Sequence, residues 1–159
     1  MPKKIVITGG LGYIGTELCK IYSGYSWNDH ITVIDNRFIS ERVNQIRNWN
    51  MNFVHGDILD KDLIKKHCQD ADVIHHLAGI TAVPRVKSDA SSENDKIIEE
   101  VGVVGTQNIL DVISNKCKII LPSSHVVYEG LTEVKKNIQE HEKTSPVLSY
   151  GRSKDYNEK

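Results

Sequence analysis

Cysteine is scarce and unpaired in this chain. Cys19, Cys68 and Cys117 are odd in number, widely spaced and free of any CxxC pair, which argues against a disulfide framework and against a zinc site built on paired thiolates. A reducing, cytoplasmic setting is expected. Neither charge is in excess: 20 Lys and Arg against 21 Asp and Glu leave a formal net charge of -1. There is no basic stripe to suggest nucleic acid and no polybasic anchor for a membrane, so the expected partner is a small molecule. Long apolar runs are missing too. The run after two lysines in MPKKIVITGG is too short for the apolar part of a signal peptide, and no later segment is long enough to span a bilayer. There is no internal repeat and no low-complexity tract.

What is present is an alternation. Short runs rich in β-branched residues recur at 4–8 (KIVIT), 31–35 (ITVID), 51–55 (MNFVH), 72–78 (DVIHHLA) and 117–122 (CKIILP), each apolar enough to be covered on both faces. Helix-like segments lie between them at about 13–23, 40–49, 61–68 and 92–115. Asp60 is placed to cap the third, and Ser92 followed by Asp95 makes a capping-box signature for the fourth. Strands alternating with helices predict an α/β fold, a doubly wound, Rossmann-like parallel sheet with right-handed crossovers. A length of 159 residues is one domain, able to bury about 70% of its unfolded surface. The stretch 79–91, GITAVPRVKSDAS, follows the fourth strand as a long irregular loop. Ligands of open α/β sheets sit beyond the carboxyl ends of strands, so this loop is a candidate binding element, against the plainer reading of a surface loop.

The first strand runs into TGGLGYIG, with Gly9, Gly12 and Gly15 in a GxxGxxG spacing, and Asp35 ends the second strand. Glycine permits the tight turn and close approach of backbone to a pyrophosphate, whose charge meets the N-terminus of the next helix. A carboxylate at the Asp35 position accepts hydrogen bonds from adenosine ribose hydroxyls and repels a 2′-phosphate, which points to NAD rather than NADP. Arg37 works the other way, since a nearby arginine accommodates the extra phosphate. Asp57 follows the third strand on the same edge of the sheet, either as a turn residue or as a ligand contact. His75 and His76 are adjacent on a strand, so they face opposite sides and cannot share one metal ion.

Taken together, TGGLGYIG, Asp35, GDILD, HLAG, VVGTQNIL, SSHVVY and YGRSK resemble, in order, the extended short-chain dehydrogenase/reductases, specifically the NAD-dependent nucleotide-sugar epimerase/dehydratase family. The resemblance implies that Gly9, Gly12 and Gly15, with Tyr13 and Ile14 between them, hold the pyrophosphate of NAD. By the same resemblance Asp35 and Asn36 meet the adenine ribose, Asp57 and Ile58 the adenine, and Leu77, Ala78 and Gly79 line the cofactor beyond the fourth strand. Ser124 matches the catalytic Ser/Thr, and Tyr150 with Lys154 matches the YxxxK pair, which also touches the cofactor. An ordinary tyrosine titrates near pKa 10 and is a poor base at neutral pH; a lysine ammonium one helical turn away favours its phenolate. A Tyr150 base and a Ser124 hydrogen bond then suit removal of a proton from a sugar hydroxyl.

Dehydratases of this family carry two acidic residues directly after the catalytic Ser/Thr. Here those positions are His125 and Val126, so epimerisation of a UDP-, GDP- or dTDP-linked sugar is the reaction expected. His125 is either a proton donor or a structural residue. The family commonly has an asparagine three residues before the Gly of its GT pair, where this chain has Gly102. Later segments of the family supply a further strand, loops on the nicotinamide side and a small substrate domain. Residues 1–159 therefore read as the NAD-binding part alone, interrupted after a helix expected from about 145 or 146. Two other readings stand beside the enzyme: an NAD-binding module without turnover, and an assembly role in a homodimer formed through 92–115 and the YxxxK helix.

Overall fold

All five β-branched runs become strands in the computed structural model, which describes residues 2–25, 29–80, 92–133 and 135–159, with only the backbone for 92–94. They are β1 (Lys4–Thr8), β2 (His30–Asp35), β3 (Asn52–His55), β4 (Val73–His76) and β5 (Lys118–Ile120). The sheet is parallel throughout in the order β3-β2-β1-β4-β5. The chain winds outward from β1 to β3, then crosses back to place β4 on the other side of β1. That reversal leaves a crevice beyond the ends of β1 and β4, the usual ligand position in such sheets.

Helices α1 (Tyr13–Tyr25), α2 (Ser40–Asn48) and α3 (Lys61–Cys68) fall where the periodicity puts them. Alternation along the strands sorts the core. Ile5, Ile7, Ile31 and Val33 pack with Cys19 of α1 and with Val43 and Ile46 of α2, while Val6, Ile34 and Ile74, equally buried, point to the other face. The two histidines divide in the same way. His75 Nε2 lies 2.7 Å from the Tyr22 hydroxyl on α1, and His76 lies between Thr8 and Thr106 on the other side. Asp60 caps α3, accepting from the backbone N–H of Asp62 and Leu63 at 3.1 and 3.0 Å, a bond set worth about 1 kcal/mol. All three cysteines are free thiols, and burial pushes Cys19 and Cys68 up to about 12.

Two expectations are corrected. The helix predicted over 92–115 is α4 (Ser92–Glu99), a π-helical segment (Glu100–Val104) and α5 (Gly105–Leu110). Two glycines, Gly102 and Gly105, weaken the α-helical ladder. After Leu110 the N–H groups of Asp111, Val112 and Ile113 still return to the Gln107 and Ile109 carbonyls, and Ser114 then takes the next turn, its hydroxyl accepting from Lys116 and its carbonyl from Cys117, which leads the chain into β5. The last helix, α6 (Ser149–Glu158), begins at Ser149 rather than at 145 or 146. Residues ahead of it are extended, with Leu148 at φ -87 and ψ 154, and the Glu129 carboxylate accepts from the N–H of Val147 and Leu148 at 2.9 and 2.5 Å. Most of the 79–91 loop, from residue 81 on, lies outside the described residues, as does the Ser92 side chain of the capping box.

The chain divides into two units, one of residues 1–79 with 105–122, the other of 80–104 with 123–159. The first carries the whole sheet with α1, α2, α3 and α5; the second carries α4, the π segment and α6. No helix among the described residues is long and apolar enough to cross a membrane.

Candidate active site

In the first unit the site grows from the end of β1. Gly9 has φ +70, and a Cβ there would stand 2.6–2.7 Å from the Leu77–Ala78 backbone, so only hydrogen fits between the two strand ends at the crevice. Its N–H donates to the Ile34 carbonyl at 2.8 Å, and the Gly12 N–H returns to the Gly9 carbonyl at 3.0 Å to close the loop. The Gly12 carbonyl then accepts from the Thr16 N–H and hydroxyl at 2.9 and 2.8 Å, which starts α1. The N–H groups of a helix's first turn have no partner within the helix. Here that turn holds no acidic residue, and Tyr13 and Ile14 are exposed on it. Such a terminus suits a phosphate.

The acid at the end of β2 is buried, with 5% of Asp35 exposed. A buried carboxylate has to be bonded. Asp35 accepts from the Leu11 N–H at 2.9 Å and from Arg37 through its N–H at 3.0 Å and guanidinium at 3.2 and 3.4 Å. Asp57 behaves as a turn residue, accepting from the Leu59 N–H at 3.0 Å and from the Asn36 side-chain amide at 2.9 Å. Ile58 is buried beneath Gly105, where a Cβ would come within 2.4 Å of its Cδ1.

Two supports of this edge were not read from sequence. Asn108 is buried and donates to the Ile58 and Leu59 carbonyls at 3.0 and 3.4 Å, tying α5 to the turn after β3. His76 stands 2.7 Å from Thr8 Oγ1 and 3.0 Å from Thr106 Oγ1, and the Thr8 hydroxyl accepts from the Ala78 N–H at 3.3 Å. A buried polar residue within a family motif is the only local signal for either. Glycine cradle, open helix terminus and strand-end acid together fit a dinucleotide such as NAD.

The second unit holds Ser124, Tyr150 and Lys154. Ser124 is extended and caps a 3-10 turn, His125–Tyr128. Its hydroxyl is lightly held, accepting from the Val126 N–H at 3.5 Å. Tyr150 lies in the first turn of α6, and Lys154 Nζ sits 5.7 Å from its ring centroid. Burial lowers the Lys154 pKa below its ordinary value, with the Glu158 carboxylate pulling it back up. Gly151, beside Tyr150, packs on the Ser124 turn, a Cβ there being 3.0 Å from the Val126 carbonyl oxygen. The start of α6 is further pinned by the Ser149 hydroxyl donating to Asp95 at 2.7 Å and by Arg152 on Glu99 at 2.9 and 3.0 Å. His125 is exposed.

Gly102 now has a physical account. A Cβ on it would lie 2.8 Å from both Cβ and Oγ of Ser153, and its carbonyl accepts from the Asn157 side chain at 2.9 Å. Glycine there lets the π segment and α6 meet backbone to side chain. Gly102→Asn, which restores the residue common in the resembled family, is expected to lower stability by about 1–3 kcal/mol through overpacking, read as a fall in the urea midpoint. An unchanged midpoint would mean that α6 shifts freely and that the close approach is not what selects glycine.

A parallel α/β sheet with a glycine loop on its first strand and an acid on its second defines a dinucleotide-binding protein. Residues 6–159 match the 3-beta hydroxysteroid dehydrogenase/isomerase family, and the chain belongs to that family; the curated relatives it resembles are nucleotide-sugar epimerases and dehydratases. It is 32% identical to the CDP-paratose 2-epimerase of Salmonella typhi, over 84% of this chain and 40% of that one. It is 30% identical to the bifunctional UDP-glucose 4-epimerase and UDP-xylose 4-epimerase 1 of Pisum sativum, over 96% and 45%. Among solved structures, the UDP-glucose 4-epimerase of Brucella ovis in complex with NAD superposes with a TM-score of 0.77 at 27% identity, over 97% of this chain and 45% of that one. The chain thus spans less than half the length of these relatives.

Proposed function

We propose that this chain carries the NAD-binding and proton-transfer parts of a nucleotide-sugar epimerase. The observation that carries the reading is the Lys154 ammonium held 5.7 Å from the Tyr150 ring, on a helix packed against the Ser124 turn. NAD bound at the glycine loop supplies reversible hydride acceptance. Tyr150 takes the proton of a sugar hydroxyl, and Lys154 puts positive charge beside the group that must become negative. The Ser124 hydroxyl donates to the same sugar oxygen as it becomes a carbonyl. His125 and Val126 follow Ser124 where a dehydrating enzyme needs acids, and Val126 has no proton to move, which favours epimerisation over elimination of water. The relatives' nucleotide-sugar substrates support the sugar class, whereas the family is named for a steroid alcohol; both are secondary alcohols open to the same oxidation.

A second reading, NAD binding without turnover, is supported by the first unit, which by itself carries the glycine loop and Asp35 and none of Ser124, Tyr150 and Lys154. Calorimetry separates the two. The chain is titrated with NAD, then, saturated with NAD, with CDP-, UDP-, GDP- and dTDP-hexoses and with a 3-hydroxysteroid. Binding of NAD and one sugar-nucleotide class is the expected result. NAD alone leaves only the binding module, steroid in place of sugar moves the substrate class, and no NAD binding sinks both readings.

A further inference from the structure

Asp35 is more fully occupied than an acid that awaits ribose hydroxyls. A carboxylate has about four acceptor positions, and four donors fill them: the Leu11 N–H at 2.9 Å, the Arg37 N–H at 3.0 Å, and Arg37 Nε and Nη2 at 3.2 and 3.4 Å. The first two belong to fixed backbone. The other two come from a side chain that is 55% exposed, against 3% for Asp35, so rotation of Arg37 is what can release them. The same Nη2 lies 3.8 Å from where a Cβ on Gly12 would stand; the guanidinium reaches from the acid to the glycine loop. A second guanidinium, that of Arg42, donates through Nη1 to the Leu11 carbonyl in this loop. One guanidinium is therefore paired with the acid at the adenosine ribose position, and a second holds the glycine loop. The other carboxylate of this edge, Asp57, is engaged by Asn36 and Leu59.

An isolated acid at this position turns away a 2′-phosphate by charge. An acid paired with a guanidinium does not. We propose that Arg37 is the specificity-determining residue of this edge: its guanidinium yields Asp35 to the ribose hydroxyls of NAD and pairs with the phosphate of a 2′-phosphorylated dinucleotide, so that the site takes both. The inference rests on the dinucleotide-binding reading above. Arg37 is suited to the exchange because a guanidinium matches carboxylate and phosphate alike through paired N–H groups.

The test is calorimetric titration of the chain with NAD and with NADP, repeated on Arg37→Ala and Arg37→Lys, each checked by circular dichroism. Wild type is expected to bind both. Arg37→Ala should weaken NADP by about 10- to 100-fold, the worth of one or two charge-assisted hydrogen bonds, while NAD is unchanged or tighter because its competitor for Asp35 is gone. Arg37→Lys should keep part of the NADP affinity through its charge. If the alanine variant fails to fold, Arg37→Gln, which keeps the stem but not the charge, takes its place. Wild type that binds NAD but not NADP, or a ratio of the two affinities that Arg37→Ala leaves alone, overturns the proposal and spares the nucleotide reading. Wild type that binds neither removes both.

Discussion

On the epimerase proposal, Tyr150→Phe is expected to cut nucleotide-sugar turnover by about 10²- to 10⁴-fold, the range a positioned acid–base group contributes, while NAD affinity and the melting temperature stay close to those of wild type. The substitution removes one oxygen and nothing that holds the helix. α6 is fixed by Ser149 on Asp95, by Arg152 on Glu99, by Glu129 at its N-terminal approach and by the close seats of Gly151 and Ser153. The aromatic ring stays beside Lys154, so the contact of the ammonium with the ring survives. The loss should therefore fall on kcat rather than on stability, and it should not be recovered by raising substrate. Absorbance of NADH formed during turnover gives a second readout, since sugar oxidation slows in proportion when the base is lost. Undiminished turnover in the phenylalanine variant would reassign the base to another residue.

Gly9→Ala should do the reverse, damaging the fold of the cofactor edge before any chemistry is asked of it. At φ +70 an alanine pays about 1–2 kcal/mol for left-handed backbone. Its Cβ would also stand 2.6 Å from the Ala78 nitrogen and 2.7 Å from Leu77 carbon. Those are main-chain atoms just beyond the end of β4, and unlike a side-chain tip they cannot swing aside. A total near 3 kcal/mol follows when overpacking is added, enough to be plain in a urea titration, and NAD affinity should drop more than about tenfold as the loop is pushed off β4. Gly12→Ala makes the contrast. There a Cβ meets only the Gly9 carbonyl oxygen at 3.1 Å and Arg37 Nη2 at 3.8 Å. Stability should change by less than about 1 kcal/mol, but the methyl group enters the space a pyrophosphate would fill, so NAD affinity should still fall. Equal stability losses at the two positions would mean that the loop is not braced against Leu77 and Ala78.

Much of this protein is legible one segment at a time. β-branched runs bounded by turn residues mark buried parallel strands because their stiff side chains suit a pleated surface covered on both sides. Asp60 announces α3 because a short carboxylate can reach only the N–H groups just ahead of it. The glycine loop and Asp35 were legible for a related reason, since the backbone angles and the strand-end position they require are local. The order of elements and the dinucleotide-binding edge follow from such short-range rules, whereas the family was read from the resemblance of the motifs to those of known members.

The remainder depends on residues far apart in sequence. Gly102 and Gly105 weaken the long helix locally, but nothing near Gly102 says that Ser153 will lie against it, so the reason for a glycine there could not be read from the apolar period. Nothing near Glu129 says that it will hold the amides of Val147 and Leu148, so the start of α6 was placed too early. Asp35 was recognised as an acceptor, but which donors reach it was decided by the path of the glycine loop and the reach of Arg37. The sequence by itself determined which segments form strands and helices and which residues can do chemistry, because periodicity and backbone preference act over a few residues. Tertiary structure alone decided which of those residues are braced and which are already engaged, because close packing and hydrogen-bond saturation arise only when distant segments meet.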